Sequence, residues 1–313
     1  MIVVAGESLI DLVVRDDGSV DATPGGGPYN VARTLGRLGR AVAFVGRLST
    51  DRFGRILRDV LATDGVDLGL AATTDDPTLL AIAELDDGGA ARYRFDTART
   101  AAAGLIASDV PGGLPATTVA FHVGTLGLVL EPMAATIEEL VATAPSQTLV
   151  LADPNCRPAA IVDRVAYRAR LDRVLARVDV VKASTDDLAW LEPGLEPTAA
   201  VRRLLAAGPA IALLTDGPRA VRIVTASGVD VVAVPAVRVV DTIGAGDSFG
   251  AGFLAAWTAA GRGRTELGDA AAVRAATRFA VDVAARTVGE VGAGPPNLAD
   301  LRAALRDGYA SIP

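Results

Sequence analysis

A run of small residues around one acid separates an apolar strand from an apolar helix in Val239–Trp257, VVDTIGAGDSFGAGFLAAW. Gly244, Ala245 and Gly246 stand where the helix must begin, so their small side chains leave free backbone N–H groups facing open space. Those N–H groups and the helix dipole favour an anion, of which phosphate is the commonest. Asp247 in the first turn is then placed to accept a proton from a hydroxyl group that attacks phosphorus.

Two other interpretations fit the same segment. A tight strand-to-helix turn with a capping aspartate needs no more than these residue types. Gly246–Gly250 also matches G-x-S-x-G, the nucleophile elbow of α/β hydrolases, with Ser248 as the nucleophile. That fold needs a histidine after the serine, whereas the single histidine, His122, precedes Ser248 by more than a hundred residues. The sequence therefore disfavours a hydrolase.

Several kinds of functional site are excluded by residue counts. One histidine and one cysteine cannot assemble a zinc site from His and Cys ligands. The only lysine, Lys182, follows Val181 instead of a glycine, so the chain has no P-loop. Phosphate would therefore be bound by backbone amides, arginines and metal. A net charge of -7 disfavours nucleic acid and anionic membrane surfaces as partners. No apolar run reaches the ~18–20 residues of a membrane span.

The length and composition limit the number of domains. A chain of 313 residues with a hydrophobic share of 50% suffices for one large α/β domain, which we predict over 1–313, or for two small ones. The single cysteine, Cys156, excludes an internal disulfide and fits a reducing compartment, so we expect a cytoplasmic protein. The N-terminus, MIVVAGESLIDLVV, has early acids and no basic region, which predicts a first strand and not a signal peptide.

Short apolar strands alternate with amphipathic helices along most of the chain. This order predicts βαβ units and a mainly parallel sheet with helices on both faces, a three-layer αβα sandwich. Phe249, Phe253 and Trp257 recur every four residues and predict the buried stripe of a helix that begins near Gly246. Further predicted helices cover 28–38 and 51–65, and predicted strands cover 2–6, 41–46, 118–126, 148–153, 178–183 and 210–217.

Two intervals break this alternation. From Pro77 to Asp96 apolar and polar residues alternate with a period of two around a turn at 87–89, which predicts a β-hairpin. The stretch 12–26 has the same character. We expect inserts at about 12–24 and 76–98 to form a small sheet beside the main one, either a lid or a decoration of its edge.

The segments DTIGAGDSFGAGF, 241–253, and PGGGPYNVARTLGRLG, 24–39, closely resemble the two signatures of the PfkB (ribokinase-like) family of carbohydrate kinases. Fructokinases and 2-keto-3-deoxygluconate kinases are the most similar members. The resemblance implies a ribokinase-like α/β fold with a small β lid, and transfer of the γ-phosphoryl group of ATP to a sugar hydroxyl. It also implies that Asp247 is the catalytic base and that Gly244, Ala245 and Gly246 form the anion hole.

The same resemblance implies a sugar site near the N-terminus. Asp11, Gly26 and Asn30 match positions that bind sugar hydroxyls. An acid and an amide beside the flexible pair Gly26–Gly27 suit a polyol, which needs directed hydrogen bonds and close backbone approach. Tyr29 replaces the small residue expected of a typical fructokinase. Its side chain either reshapes the pocket or packs against the next helix.

Two central segments resemble elements that handle phosphate. DPNCRP, 153–158, is similar to an element of fructokinases and 2-keto-3-deoxygluconate kinases in which Asn155 and Arg157 face the transferred phosphate or the sugar. KASTDDL, 182–188, aligns with the N-x-x-E element that organises Mg²⁺. Ser184 and Asp187 occupy its two positions, and Asp187 is expected to reach the metal through water. Lys182, in the same segment, is assigned to nucleotide binding.

The remaining nucleotide contacts are expected in the C-terminal third. LLTDGPRAV resembles a nucleotide-contacting strand end with Thr215 and Gly217, and VGAGPP, 291–296, resembles the loop beside the adenine, with Gly292. Gly246 in the anion hole is also assigned to the nucleotide. The implied cofactors are ATP and Mg²⁺, with the monovalent cation K⁺ as a further candidate.

Fructose is the first candidate substrate, because the G-x-P-x-N form of the glycine segment and the DPNCRP element favour fructokinase over ribokinase. 2-Keto-3-deoxygluconate, ribose and nucleosides are alternatives within the family. A non-catalytic sugar-binding sensor is the alternative of a different class, and the intact Asp247 argues against it. A small two-hairpin sheet has an apolar face to cover, so we expect a homodimer through the lid.

Overall fold

The computed structural model describes residues 1–15, 17–85, 91–290 and 292–301. Its strands are β1 (Ile2–Ala5), β2 (Leu9–Val14), β3 (Val20–Gly25), β4 (Val42–Ser49), β5 (Ala71–Thr74), β6 (Leu79–Leu85), β7 (Ala91–Asp96), β8 (Ala120–Gly124), β9 (Leu149–Asp153), β10 (Val180–Ser184), β11 (Ile211–Thr215), β12 (Val221–Thr225) and β13 (Gly228–Val232). Its α-helices are α1 (Gly27–Arg37), α2 (Arg52–Thr63), α3 (Met133–Ala142), α4 (Arg164–Leu175), α5 (Thr185–Leu191), α6 (Pro197–Ala206), α7 (Ala245–Ala259) and α8 (Ala270–Thr287).

The main sheet has nine strands in the order β13-β12-β11-β10-β9-β8-β1-β4-β5. The seven strands β11, β10, β9, β8, β1, β4 and β5 pair in parallel with their neighbours. At the β11 side of the sheet, β12 and β13 are added as antiparallel strands. The predicted mainly parallel sheet is therefore confirmed. The β12–β13 hairpin was not predicted. Its outer strand exposes Val229 and Val231, so the pattern of a buried strand is absent there.

Helices cover both faces of this sheet, as predicted. Successive residues of a strand point to opposite faces, so Val3 of β1 packs in one core and Val4 in the other. The first core gathers side chains from α3, α4, α5 and α6, and the second gathers those from α1, α2, α7 and α8. The three-layer αβα sandwich is confirmed. Among the described helices, none combines the length and the apolarity that crossing a membrane requires.

A second sheet of four strands, in the order β3-β2-β6-β7, lies apart from the main one. The β2–β3 and β6–β7 pairs are antiparallel hairpins, and β2 pairs with β6 in parallel. Both predicted hairpins thus form and combine into one small sheet. The turn expected at 87–89 lies outside the described residues. The role of this sheet as a lid stays a prediction.

The helix that follows the small-residue segment begins at Ala245, after Gly244 in the left-handed conformation with φ 74°. Its predicted apolar stripe is buried, and the rings of Phe253 and Trp257 stack with centroids 5.8 Å apart. A Cβ atom on Gly252 would come within 2.9 Å of the Cα of Ala280 in α8. A glycine at this position therefore lets α7 and α8 pack closely.

Candidate active site

The carboxyl ends of β8, β9, β10 and β11 meet the first turns of α1 and α7 at one edge of the main sheet. Asn30 on α1 donates from Nδ2 to Oδ2 of Asp247 on α7, at 2.9 Å, although 217 residues separate the two in the chain. No hydrogen bond from the described side chains reaches the other oxygen of Asp247. This arrangement fixes the carboxylate and leaves Oδ1 available as a proton acceptor.

The environment of Asp247 adjusts its basicity. Its side chain is buried, and burial raises the pKa of the carboxyl group. The hydrogen bond from Asn30 and the charges of Lys182 and Arg157 oppose this effect. A raised pKa makes the carboxylate a better proton acceptor than an exposed aspartate, and the nearby cations keep the charged form populated.

The predicted anion hole has a lysine directly beneath it. A Cβ atom on Gly246 would lie 2.8 Å from Nζ of Lys182, and one on Gly244 would lie 2.7 Å from the Cβ of Ala293. Glycine at both positions lets the first turn of α7 approach these neighbours. The N–H of Ala245 donates to the carbonyl oxygen of Thr242 at 3.3 Å. The other N–H groups of the helix start, together with the buried ammonium group, form a site that fits the charge of a phosphate group.

The side chain of Lys182 is held by a buried ion pair. Its Nζ lies 2.7 Å from Oδ2 of Asp153, at the carboxyl end of β9. Burial raises the pKa of Asp153 to about 7 although Lys182 opposes it. Burial alone would lower the pKa of Lys182, but Asp153, Asp187 and Asp247 outweigh it and raise the pKa. The ammonium group therefore stays charged inside the site.

Asp153 and His122 were missed by the sequence interpretation. Asp153 opens the DPNCRP segment, and a polar residue at the end of a buried strand was the signal that could have found it. His122 on β8 is buried without a hydrogen-bond partner among the described residues. Burial and the charge of Lys182 lower its pKa to about 3, so the ring is neutral at physiological pH.

Asp11, which is predicted to bind the sugar, lies on β2 opposite Thr23 of β3. Burial raises the pKa of Asp11 to about 6, with Arg157 lowering it and Asp247 raising it. Because both Arg157 and Asp247 influence the pKa of Asp11, the three predicted residues lie in one electrostatic neighbourhood. A Cβ atom on Gly25 would lie only 2.0 Å from Oδ2 of Asp11, so the backbone of the glycine segment passes directly beside this carboxylate.

The predicted phosphate-facing residues of the DPNCRP segment form a linked set. Asn155 has φ 38°, and its Nδ2 donates to Oγ1 of Thr125 at 3.1 Å. Arg157 donates from Nη1 to Oδ1 of Asn155 at 2.8 Å and is the most exposed member of the set. A Cβ atom on Gly27 would lie 2.2 Å from Oγ1 of Thr125. This set, Thr125, Asn155 and Arg157, therefore forms one wall of the site, and it touches the other wall, which consists of the glycine segment 25–27 and the start of α1.

A glutamate that the sequence analysis did not select joins these two walls. Glu7 follows β1 and is 0% exposed. Its Oε1 accepts the N–H of Gly27, and its Oε2 accepts the N–H of Gly127, each at 3.0 Å. Burial raises the pKa of Glu7 to about 8, against the effect of the backbone N–H groups. The φ of Gly26 is 110°, and a Cβ atom there would lie 2.8 Å from the carbonyl oxygen of Glu7.

The residues aligned with the N-x-x-E element are joined by a capping box. Ser184 caps α5, and its N–H and hydroxyl donate to Oδ2 of Asp187 at 2.8 and 2.6 Å. Oδ1 of Asp187 accepts the N–H of Cys156 at 2.6 Å. Both oxygens of Asp187 therefore accept hydrogen bonds from groups of the protein itself. Among the described residues, no group of three or more His, Cys, Asp or Glu side chains could hold a metal ion.

The other predicted nucleotide residues lie at the same edge. Thr215 pairs in register with Ser184 at the end of β11, and Gly217 follows with φ 54°. Gly292 has φ 70° and donates its N–H to Oδ2 of Asp241 at 2.9 Å. Val291, at the start of the predicted adenine loop, lies outside the described residues.

Tyr29 does not enter this pocket. Its side chain is fully buried, and its hydroxyl donates to the carbonyl oxygen of Leu57 in α2 at 3.3 Å. The packing alternative considered for Tyr29 is thus the one found. A separate cavity of about 660 Å³ lies between 97–104, 129–132 and 160–170 and is lined by none of the predicted site residues.

The model of the pfkB family carbohydrate kinase matches residues 1–300 of this chain. The chain belongs to this family. It is similar to a fructokinase from Rhizobium leguminosarum bv. trifolii, with 35% identity over 82% of this chain and 79% of the relative. The family that the two signature segments resemble is therefore confirmed. The chain is accordingly a phosphotransferase whose acceptor is a sugar hydroxyl.

Solved structures of family members have the same fold. A fructokinase from Xylella fastidiosa with bound ATP matches with a TM-score of 0.91 and 27% identity over 98% of both chains. A fructokinase from Vibrio cholerae O395 with fructose, ADP and a calcium ion matches with a TM-score of 0.84 and 25% identity, over 96% of this chain and 97% of that one. A double mutant of the latter holds fructose, ADP and a potassium ion.

Proposed function

We propose that this kinase transfers the γ-phosphoryl group of ATP to a hydroxyl group of fructose. The observation that carries the proposal is the Asn30–Asp247 pair beside the start of α7, with Asp11 and Arg157 in the same electrostatic neighbourhood. The similarity to fructokinases supports fructose as the acceptor.

Each residue of the site has a defined part in this reaction. Asp11 accepts hydrogen bonds from sugar hydroxyls and fixes the acceptor beside the glycine segment. Oδ1 of Asp247 takes the proton of the attacking hydroxyl as its oxygen bonds to phosphorus and the bond to ADP breaks. Asn30 holds the other oxygen of Asp247 in place. Arg157 and Lys182, with the N–H groups of 244–246, stabilise negative charge on the transferred group.

We assign ATP and Mg²⁺ as the donor and the metal, with K⁺ as an additional cation. When bound, Mg²⁺ neutralises charge on the phosphate groups. Asp187 is committed to hydrogen bonds with Ser184 and Cys156, which agrees with an outer role through water and not with direct ligation. The binding of ATP is assigned to Lys182, Ser184, Thr215, Gly217 and Gly292 together with Gly246.

The small sheet is proposed to act as a lid within a single kinase domain, and to support a homodimer. Asp11 lies on β2 of this sheet while Asp247 lies on α7, which packs on the main sheet, so movement of the small sheet would change the distance between the two carboxylates. A homodimer would cover the apolar face of the sheet. Light scattering that finds only a monomer would contradict the dimer. The single cysteine supports a cytoplasmic location.

The proposed function is tested by ADP release over a panel of fructose, glucose, ribose, 2-keto-3-deoxygluconate and adenosine with ATP and Mg²⁺. We expect the highest kcat/KM with fructose. The Asp247→Asn variant serves as the control for ATP hydrolysis by contaminants. If ADP release exceeds that control only with another compound of the panel, that compound and not fructose is the acceptor. Sugar binding by calorimetry without any turnover would favour the sensor.

A further inference from the structure

Glu7 is a buried carboxylate outside the set of residues that the chemistry uses. It lies in the short connection between β1 of the main sheet and β2 of the small sheet. Its side chain is 0% exposed, and among the described residues its pKa is raised by burial and by Asp247 and lowered by backbone N–H groups, with no contribution from a cation. A buried carboxyl group is unfavourable unless hydrogen bonds satisfy its oxygens, and this holds for the protonated form that a pKa of about 8 implies near neutral pH. The groups that donate its two hydrogen bonds therefore indicate the role of Glu7.

The two N–H groups that Glu7 binds belong to the two walls of the sugar site. Gly27 is the first residue of α1, one turn before Asn30. Gly127 belongs to the 3₁₀ turn Thr125–Leu128, whose first residue bonds to Asn155. The carboxylate therefore spans the gap between the helix that orients the catalytic base and the turn that supports Arg157.

The walls also touch each other directly at this point. A Cβ atom on Gly27 would lie 2.2 Å from Oγ1 of Thr125, and one on Gly26 would lie 2.8 Å from the carbonyl oxygen of Glu7. Because the two walls are packed this closely, neither can move without displacing the other. The two 3.0 Å hydrogen bonds of Glu7 set the separation at which the walls meet.

We propose that Glu7 is a positioning residue for the acceptor sugar, holding Asn30 and the Asn155–Arg157 pair at the separation that the sugar requires. The residue acts through its neighbours and does not contact the reacting atoms. The inference rests on the proposed sugar site, and it adds the element that determines the width of that site.

The Glu7→Gln variant tests this role. The amide keeps the size of the side chain but replaces one acceptor oxygen by an NH₂ donor, which must then face the N–H of Gly27 or of Gly127. One wall therefore shifts. We expect KM for the preferred sugar of the panel to rise by about tenfold or more, because displacement of a site by about 1 Å has effects of this order. KM for ATP is expected to stay within about twofold.

The matched control is Asp179→Asn, a second buried carboxylate. Asp179 precedes β10 at the edge of the sheet away from the site, and its Oδ2 accepts the N–H of Val150 at 2.8 Å. We expect this variant to lower the melting temperature while both KM values stay unchanged. The contrast separates a loss of stability from a loss of sugar positioning.

Three results would overturn the positioning role: an unchanged sugar KM in Glu7→Gln, an equal rise of both KM values, or a sugar-specific rise in Asp179→Asn as well. If Glu7→Gln does not fold, Glu7→Asp keeps the acid but shortens the side chain by one methylene, so that it cannot reach the N–H groups of Gly27 and Gly127 together. A raised sugar KM with an unchanged ATP KM then supports the proposal, and an unchanged sugar KM refutes it. A wild-type enzyme that phosphorylates no sugar contradicts the proposed function instead, so the two failures are distinct.

Discussion

Replacing Asp247 by asparagine removes the proposed base and changes little else. The carbonyl oxygen of the new amide can accept the hydrogen bond that Asn30 now donates to Oδ2 at 2.9 Å. Its NH₂ group then takes the place of Oδ1, where it donates a hydrogen bond and cannot accept the proton of the sugar hydroxyl. The variant therefore tests proton acceptance in a nearly unchanged site.

The expected loss follows from the value of general-base catalysis, about 10²–10⁴ in rate, or about 3–5 kcal/mol in activation free energy. We predict that kcat of Asp247→Asn falls by at least this factor. KM for the sugar is expected to change by less than about threefold, because Asp11 and the glycine segment remain. ATP is expected to bind equally well or slightly more tightly, since a negative charge beside its phosphates has gone.

Steady-state ADP release gives both constants, and thermal melting shows that the variant is folded. Ser248→Ala is the matched control, because Ser248 is the next residue of α7, is buried, and has its hydroxyl oxygen 3.4 Å from Oγ1 of Thr34. We expect its kcat to stay within about twofold of the wild type. A folded Asp247→Asn enzyme with near-normal kcat would show that Asp247 only caps the helix.

Three further changes probe the rest of the site. Asp11→Ala is expected to raise the sugar Kd by about 10–100-fold and the ATP Kd much less, since hydrogen bonds to a charged group are lost; calorimetry that finds equal losses would indicate a structural aspartate. Because the pKa of Asp11 is raised to about 6, the wild-type sugar KM should increase as the pH falls below about 6 and Asp11 becomes protonated, and Asp11→Ala should lack this pH dependence. Gly246→Ala places a methyl group 2.8 Å from Nζ of Lys182, so kcat/KM for ATP should fall by about tenfold or more, and unchanged ATP kinetics would exclude Lys182 from the anion site. Arg33→Lys loses the hydrogen bonds that the guanidinium group donates to Asp64 and to the carbonyl oxygen of Ala293. Because Ala293 belongs to the predicted adenine loop, KM for ATP should rise by about threefold to tenfold with the sugar KM unchanged. A change in the sugar KM alone would contradict the placement of the loop 291–296 at the nucleotide.

The sequence by itself determined the features that short-range signals carry. Small residues before Asp247 specify the start of a helix, and the apolar stripe from Phe249 to Trp257 specifies which face is buried. Alternation of apolar strands with amphipathic helices led to the parallel sheet, and the period of two led to both hairpins. The edge strand β13 was missed because its Val229 and Val231 are exposed, so no buried face marked it, whereas β12 was missed although Val221, Ile223 and Val224 are buried.

The tertiary structure alone decided which distant side chains meet and how their charges behave. Asn30 and Asp247 are 217 residues apart, and nothing near either residue encodes their hydrogen bond. Nothing in the local sequence distinguishes Glu7, yet burial and two N–H groups, one from the first residue of α1 and one from the 3₁₀ turn 125–128, give it a role. Tyr29 faces α2 because the packing of α1 against α2 fixes that direction. Contact between remote segments and the loss of water around a charge arise only when the layers pack, so the local sequence holds no signal for either.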